Sequence, residues 1–215
     1  MIYLISDLHG CMDFCGLQEY CRSAGKEDLL IILGDVGIAF EESEENRIFT
    51  KQFLSIGKNI AIVDGNHENF AYLNGFSREK WKGGIVSRLT ENIVHLRRGN
   101  IYTIEGKRFF VFGGCKSSPK WKEQGLWHEG EEPCEEEIAY AYDNLRQCGY
   151  AVDYILTHKY EQMPPRGTVS EDLLNLTSFI EKNVQYQHWY AGHWHTNQHA
   201  DEKHTFVYDD LVYIN

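Results

Sequence analysis

Short apolar runs, each bounded by glycine or polar turn residues, recur along the chain. They predict strands at Ile2–Ser6, Leu29–Leu33, Asn59–Val63, Asn92–Leu96, Ile101–Ile104, Arg108–Phe112, Asp153–Thr157, His188–Ala191, Thr205–Tyr208 and Leu211–Ile214. Apolar residues at helical spacing occupy Cys11–Ala24, Glu42–Ile56, Glu135–Cys148 and Ser170–Lys182, the last with Ser170 placed as an N-cap. In the first half strand and helix alternate, the pattern of right-handed crossovers around a parallel sheet. Two segments read instead as hairpins, one turning at Glu105-Gly106 and one at Asp209-Asp210. The expected fold class is mixed α/β, with parallel strands carried by helices and antiparallel additions. In such sheets ligands gather beyond the carboxyl ends of the strands.

No repeat, low-complexity tract or Pro/Ser linker interrupts the 215 residues, so a single domain is expected over 1–215. That length buries a core without needing disulfides or a structural metal. The formal net charge of -11 disfavours long nucleic acid and an anionic membrane as partners. "MIYLISDLHG" turns polar too soon for a signal peptide, and no apolar run approaches the ~20 residues of a membrane span. The six cysteines (Cys11, Cys15, Cys21, Cys115, Cys134 and Cys148) form no CxxC pair and are expected to be reduced, in a cytoplasmic setting. Charge is uneven. Arg97 to Lys122 holds seven Lys or Arg against one Glu, and Glu129 to Glu137 holds six Glu and no Lys or Arg. The plain reading of such runs is a solvated face; the functional reading is a basic loop that steers a phosphate.

The strand ends carry the candidate chemistry. "SDLHG" presents Asp7 and His9, "LGDVG" Asp35, "VDGNHEN" Asn66 and His67, "ILTHKY" His158, and "YAGHWH" His193 and His195. Singly, these are ordinary turn residues or isolated histidines. Together they place Asp, Asn or His at five strand ends that lie side by side in a doubly wound sheet. The spacing Asp-x-His and His-x-His lets both members of a pair face one way if the local chain is extended. Imidazoles with carboxylates form an N/O donor set that suits Mn, Fe or Zn better than Mg.

"DLH", "GD", "GNHE", "TH" and "GHWH" resemble, in order and context, the motifs of the calcineurin-like metallophosphoesterases, and they span Asp7 to His195. The resemblance implies a four-layer αββα sandwich with two mixed sheets. It implies two divalent or trivalent metal ions as cofactors. Asp7, His9, Asp35 and His195 look like the ligands of one metal, and Asp35, Asn66, His158 and His193 like those of the other, with Asp35 bridging. His67 looks like the residue that contacts substrate and protonates the leaving oxygen, with a metal-bridging hydroxide as attacking group. Two carboxylates would offset only half the charge of two divalent ions, so the site would still attract a phosphate anion. Two ions ~3.5–4 Å apart can generate hydroxide at neutral pH and clamp phosphoryl oxygens.

Many members extend the second motif to G-D-x-x-D with an Arg following. Here Ile38 stands at the position of that Asp, and no Arg follows at once. That departure counts against a protein phosphatase. Phosphate would be gripped from elsewhere, with Lys116, Arg166 and the basic loop as candidates, and His67 would be oriented by Asp64 or Glu68. The long segment from Gly113 to Glu137 is expected to be functional, with Trp121, Trp127 and His128 walling the substrate pocket; the alternative is that the tryptophans only pin the loop to the body. His95, His188, His199 and His204 are expected to be structural or on the surface. The function expected is direct hydrolysis of a small phosphodiester, nucleotide or phosphomonoester, since no Cys-x5-Arg loop offers a covalent nucleophile. The alternatives are a Ser/Thr protein phosphatase-like enzyme and a metal-bound, non-catalytic interaction module. A redox di-iron protein would need Glu-x-x-His pairs on bundle helices, which the chain does not show.

Overall fold

Leu29–Leu33 is apolar at every position, and the fold uses both of its faces. The computed structural model describes residues 1–162 and 168–214. In it Leu29, Ile31 and Leu33 point into an apolar layer between two sheets, while Leu30 and Ile32 point to helices on the other side. The same division runs through Phe109 and Val111 against Phe110 and Phe112 in the second sheet. Each fully buried Ile, Leu or Phe side chain contributes ~1.5–3 kcal/mol by leaving water. A strand buried on both faces needs two covering layers, and the result is the expected αββα sandwich.

The first sheet has seven strands: β1 (Ile2–Ile5), β2 (Leu29–Leu33), β3 (Asn59–Val63), β4 (Arg78–Trp81), β5 (Gly84–Arg88), β6 (Ile93–Leu96) and β13 (Val212–Ile214). Their spatial order is β13-β1-β2-β3-β6-β5-β4. β1, β2, β3 and β6 are mutually parallel, and β13, β5 and β4 add antiparallel. The second sheet has six strands, β7 (Asn100–Ile104), β8 (Lys107–Phe112), β9 (Tyr154–Thr157), β10 (His188–Ala191), β11 (Gln198–His199) and β12 (His204–Phe206), in the order β11-β12-β10-β9-β8-β7. Its core of β8, β9, β10 and β12 is parallel.

Helices α1 (Cys15–Ser23), α2 (Glu44–Leu54) and α3 (Phe70–Asn74) cover the first sheet through Leu17, Tyr20, Phe49, Phe53 and Leu73. Helices α5 (Glu135–Gln147) and α6 (Glu171–Asn183) cover the second through Leu145, Leu173, Leu176 and Ile180. Ser43 caps α2 by accepting from the Asn46 amide at 3.0 Å. Ser170 does sit at the N-cap of α6, but its hydroxyl makes no capping bond. A short helix, α4 (Pro119–Glu123), lies in the long loop after β8. No helix among the described residues is long and apolar enough to cross a membrane.

Two strand-level expectations change. The turn at Glu105-Gly106 is a hairpin, with both residues at positive φ, but Asp209-Asp210 joins strands of different sheets. β12 pairs with β10 and β11, whereas β13 pairs with β1. The hairpin β4–β5 has no counterpart in the expected elements. Its first strand, "REKW", is polar and exposed, so it shows no apolar alternation.

Candidate metal centre

The parallel strands of both sheets run the same way, so their carboxyl ends meet at one edge of the sandwich. β1 leads to Asp7 and His9, β2 to Asp35, β3 to Asn66 and His67, β9 to His158, and β10 to His193 and His195. All eight side chains converge there. The pairs do not converge by alternation along extended chain. Asp7, His9, Asp35, His193 and His195 all have positive φ, between 47° and 70°. Such left-handed geometry is unfavourable for residues with a Cβ and collects at functional sites. Here backbone bonds hold it: the Asp7 amide donates to the Gly34 carbonyl (3.0 Å) and the His9 amide to the Asp35 carbonyl (2.8 Å).

Both carboxylates are used in halves. Asp7 Oδ2 accepts from the His193 amide at 2.8 Å, which leaves Oδ1 buried and without a hydrogen-bond partner among the described residues. That oxygen lies 3.4 Å from His195 Nε2 and 3.9 Å from His9 Nε2, and the two ring nitrogens are 3.0 Å apart. Asp35 Oδ1 accepts from the His67 amide at 2.7 Å, and Oδ2 lies 3.7 Å from His9 Nε2 and 3.5 Å from His158 Nε2. Asp35 Oδ2 therefore faces two donor groups. On its second side His158 Nε2 is 3.2 Å from Asn66 Oδ1 and 3.3 Å from His193 Nδ1. His158 Nδ1 meets the Leu33 carbonyl at 2.7 Å, which turns the Nε2 lone pair inward when the ring is neutral. Asn66 Nδ2 donates to Ser117 Oγ at 3.0 Å, which turns its carbonyl oxygen inward too.

This donor set fits divalent cations. It brings together an orphaned buried carboxylate oxygen, a second carboxylate oxygen shared between two groups, an amide oxygen and imidazole nitrogens. Three groups of donors, Asp7–His9–His195, His9–Asp35–His67 and Asp35–His158–His193, each lie within 4.8 Å of one another. Burial opposes the charge on Asp35, but His158, His67 and His9 hold its carboxyl well below the usual range. Burial opposes a charged His158 as well, but the Asp35 carboxylate raises it to about 9. Burial, with His158 beside it, lowers His193 to about 3.

The glycines of "GD" and "GN" admit this crowding. Gly34 has φ +95°, and a Cβ there would strike the His158 ring; a Cβ at Gly65 would strike the Asp35 carboxylate.

Above the donors opens a cleft of about 410 Å³. His9, Asp35, Asn66, His67, His193 and His195 form its floor, and Lys116, Ser117, Ser118 and Trp121 form one wall. Asp7 and His158 lie beneath, 1% and 0% exposed. Of the expected wall residues, only Trp121 lines the cleft. Trp127 packs under Lys122, whose Nζ is 4.1 Å from the ring centre, and His128 Nε2 binds the Phe40 carbonyl at 2.6 Å. Lys116 reaches the cleft but also pairs with Glu132 at 3.3 Å, and Arg166 lies outside the described residues.

Several cations of the basic run are paired with carboxylates or packed on rings. Arg98, 4% exposed at its side chain, bonds Asp64 through Nε (2.7 Å) and Glu137 through Nη1 (3.0 Å). Lys120 sits over Trp121. Nor does either expected carboxylate orient His67. Asp64 is engaged by Arg98 and by His95 Nε2 (3.0 Å), and Glu68 Oε1 accepts from the Val36 amide (2.9 Å). Burial, reinforced by the Asp35 charge, pushes the Glu68 carboxyl up to about 8.

Four contacts had no signal in the chain. Ser117 orients Asn66, the Cys115 thiol lies 3.9 Å from both ring nitrogens of His193, Tyr208 stacks flat on His195 (5.0 Å, 7°), and Phe40 packs on His67. Trp194, between two donor histidines, packs against Phe206 and meets the His193 ring edge-to-face at 5.5 Å.

An αββα sandwich with these carboxylates, this amide and these imidazoles at one sheet edge defines the metallo-dependent phosphoesterase class. The calcineurin-like phosphoesterase family matches residues 1–197, and the chain belongs to that family. It is also 31% identical over 127 residues to the symmetrical bis(5'-nucleosyl)-tetraphosphatase of Enterobacter sp. (strain 638). That match covers 55% of this chain and 44% of the relative, so it spans less than half of the relative's length.

Proposed function

We propose that this protein is a dinuclear metal-dependent phosphoesterase acting on a small phosphorylated substrate of the nucleotide type. The observation that carries the reading is Asp35 Oδ2, which faces His9 Nε2 at 3.7 Å on one side and His158 Nε2 at 3.5 Å on the other. Asp7, His9, His195 and Asp35 would hold one ion, and Asp35, Asn66, His158 and His193 the other. Manganese, iron or zinc suits this N/O set. Such ions supply an activated water at neutral pH and electrophilic stabilisation of the phosphoryl oxygens.

The chain's own groups divide the remaining work. His67 offers a ring nitrogen within 4.8 Å of the His9 and Asp35 donors, at the cleft floor. In the reading it donates a proton to the leaving ester oxygen as the P–O bond breaks, while water forms the new P–O bond. The products are an alcohol and a phosphate with one ester fewer. Lys116 and the Ser117 and Ser118 hydroxyls face the same cleft and supply polar contacts for phosphate oxygens.

A small substrate is supported by the net charge of -11 and by a cleft of about 410 Å³. The similarity to a bis(nucleosyl)tetraphosphatase supports a nucleotide. A protein phosphatase is disfavoured because Ile38 is fully buried among apolar residues, so that position offers no carboxylate to the site. A single domain is supported by an inter-sheet core shared by residues of both sheets, and a reducing, cytoplasmic setting by six free cysteines.

The test is a manganese-supplemented hydrolysis screen. It sets bis-p-nitrophenyl phosphate, p-nitrophenyl phosphate, cyclic nucleotides and dinucleoside polyphosphates against one another. Metal-dependent turnover of at least one small ester is expected, with the rate on the best substrate falling ~10²–10⁴-fold in His67→Ala while both metals stay bound. Undiminished turnover in that variant would remove His67 from the chemistry. Turnover independent of added metal in chelator-treated protein would remove the metals.

A further inference from the structure

A general acid must be held in one orientation, and the usual means is a hydrogen-bonded carboxylate. None does so here. Ile38 is fully buried in the core, Asp64 is engaged by Arg98 and His95, and Glu68 bonds the Val36 amide. Among the described residues no hydrogen bond reaches the His67 imidazole. Three aromatic rings surround it instead: Phe40 at 5.1 Å and 58°, Trp121 at 5.0 Å and 88°, and His9 at 5.1 Å and 74° between centroids and planes.

We propose that Phe40 and Trp121 are positioning residues that hold the His67 imidazole by ring contact, in place of a carboxylate. The proposal rests on the reading of His67 as general acid. The Trp121 contact is edge-to-face, an attractive and directional arrangement, and the tilted Phe40 ring packs at a similar separation, so the two rings restrict rotation of the imidazole about its side-chain bonds. Both rings are braced. Phe40 is gripped by His128, whose ring is 5.2 Å away and whose Nε2 bonds the Phe40 carbonyl at 2.6 Å. Trp121 rides on the short helix Pro119–Glu123, with Lys120 Nζ 5.1 Å from its ring centre. The same loop is fastened to the metal centre just ahead of that helix. Ser117 Oγ accepts from Asn66 Nδ2, and the Ser117 amide donates to Glu131 Oε1 at 2.9 Å. Asn66 precedes His67 directly, so one loop fixes both a donor to the metals and the ring beside it.

The signature of a mispositioned acid is a rate loss that grows with the basicity of the leaving group. A good leaving group such as p-nitrophenolate departs without a proton, and an alkoxide does not. The experiment measures kcat, KM and bound metal for manganese-loaded wild type, His67→Ala, Trp121→Ala, Trp121→Phe and Phe40→Leu on a series of phosphodiesters from p-nitrophenyl to alkyl. Trp121→Ala is expected to lose up to ~10²-fold in kcat on alkyl esters, the scale of a small misplacement of a catalytic group. The kcat loss should shrink steadily toward the p-nitrophenyl ester, any KM change from the altered cleft wall should be the same across the series, and the metal content should stay at the wild-type level. Trp121→Phe retains a ring and should recover most of the loss. Phe40→Leu keeps bulk without the aromatic face and should reproduce the leaving-group dependence. An equal loss on all esters, or a change confined to KM, would overturn the proposal while a steep dependence in His67→Ala leaves the general-acid reading standing. A flat dependence in His67→Ala would overturn both.

Discussion

Asp7 Oδ2 accepts a hydrogen bond from the backbone amide of His193 at 2.8 Å, across 186 residues of chain. The bond joins the end of β1 to the loop after β10, so it ties the first sheet to the second at the metal centre. It also commits one carboxylate oxygen and frees the other, which points at His9 and His195. In Asp7→Asn the side-chain oxygen can keep the amide bond while the NH2 replaces the free oxygen. The protein is therefore expected to fold normally and to lose one metal, keeping the one near His158. Elemental analysis of the purified variant decides this; loss of both ions or of neither would contradict the division of donors.

Asp35→Asn should behave differently. Its Oδ1 can still accept from the His67 amide, but the atom that faces both His9 and His158 becomes a donor. Both ions should weaken together. Because ligands that bind only the folded state stabilise it, added manganese should raise the melting temperature of wild type and leave this variant nearly unmoved. A wild-type shift in the variant would show that Asp35 does not bridge.

Tyr208 lies flat against His195, with ring centroids 5.0 Å apart and planes 7° apart. His195 is the most exposed of the donors, so this stack does much to limit its motion. Tyr208→Ala is expected to weaken the ion on the Asp7 side by ~10–100-fold, the range for residues that orient metal ligands. Metal titration by calorimetry reads it, and an effect equal at both ions would argue against a role through His195.

Gly65→Ala places a methyl group against the Asp35 carboxylate. Overpacking of this kind costs ~1–3 kcal/mol. The expected result in urea denaturation is a loss in that range, together with reduced occupancy of both metals. Unchanged occupancy would show that the backbone at "DGN" yields more easily than the geometry indicates.

Asp64 supports the site from behind. It is 1% exposed, holds Arg98 and His95, and its backbone carbonyl receives the Gly114 amide at 2.8 Å. Asp64→Ala removes one of the two carboxylates on the buried Arg98 and leaves Glu137 at 3.0 Å as the other, so the loss expected is up to the ~3–5 kcal/mol of a broken buried pair. A measured loss below ~1 kcal/mol, the scale of exposed pairs, would mean that water or Glu137 takes over.

Much of this protein was legible before folding was considered. Strand runs such as Leu29–Leu33, a mixed α/β class and the eight polar residues at strand ends follow from local pattern, because side-chain periodicity and turn chemistry are properties of neighbouring residues, and the αββα sandwich is what the resemblance of the motifs to a family implies. Which strands pair is not such a property. Asp209-Asp210 has the look of a hairpin turn, yet β12 pairs with β10 in one sheet and β13 with β1 in the other. "REKW" forms a strand only because β5 presents an edge to it. The same limit governs the site. The motifs supply Asp7, Asp35 and the histidines, but left-handed backbone, stabilised by bonds between loops, aims them. His67 shows the difference most directly. The chain offers Asp64 and Glu68 close by, and tertiary packing engages both elsewhere, setting Phe40 and Trp121 against the imidazole. Contacts between residues distant in the chain depend on which surfaces the whole fold brings together, and only the folded protein decides them.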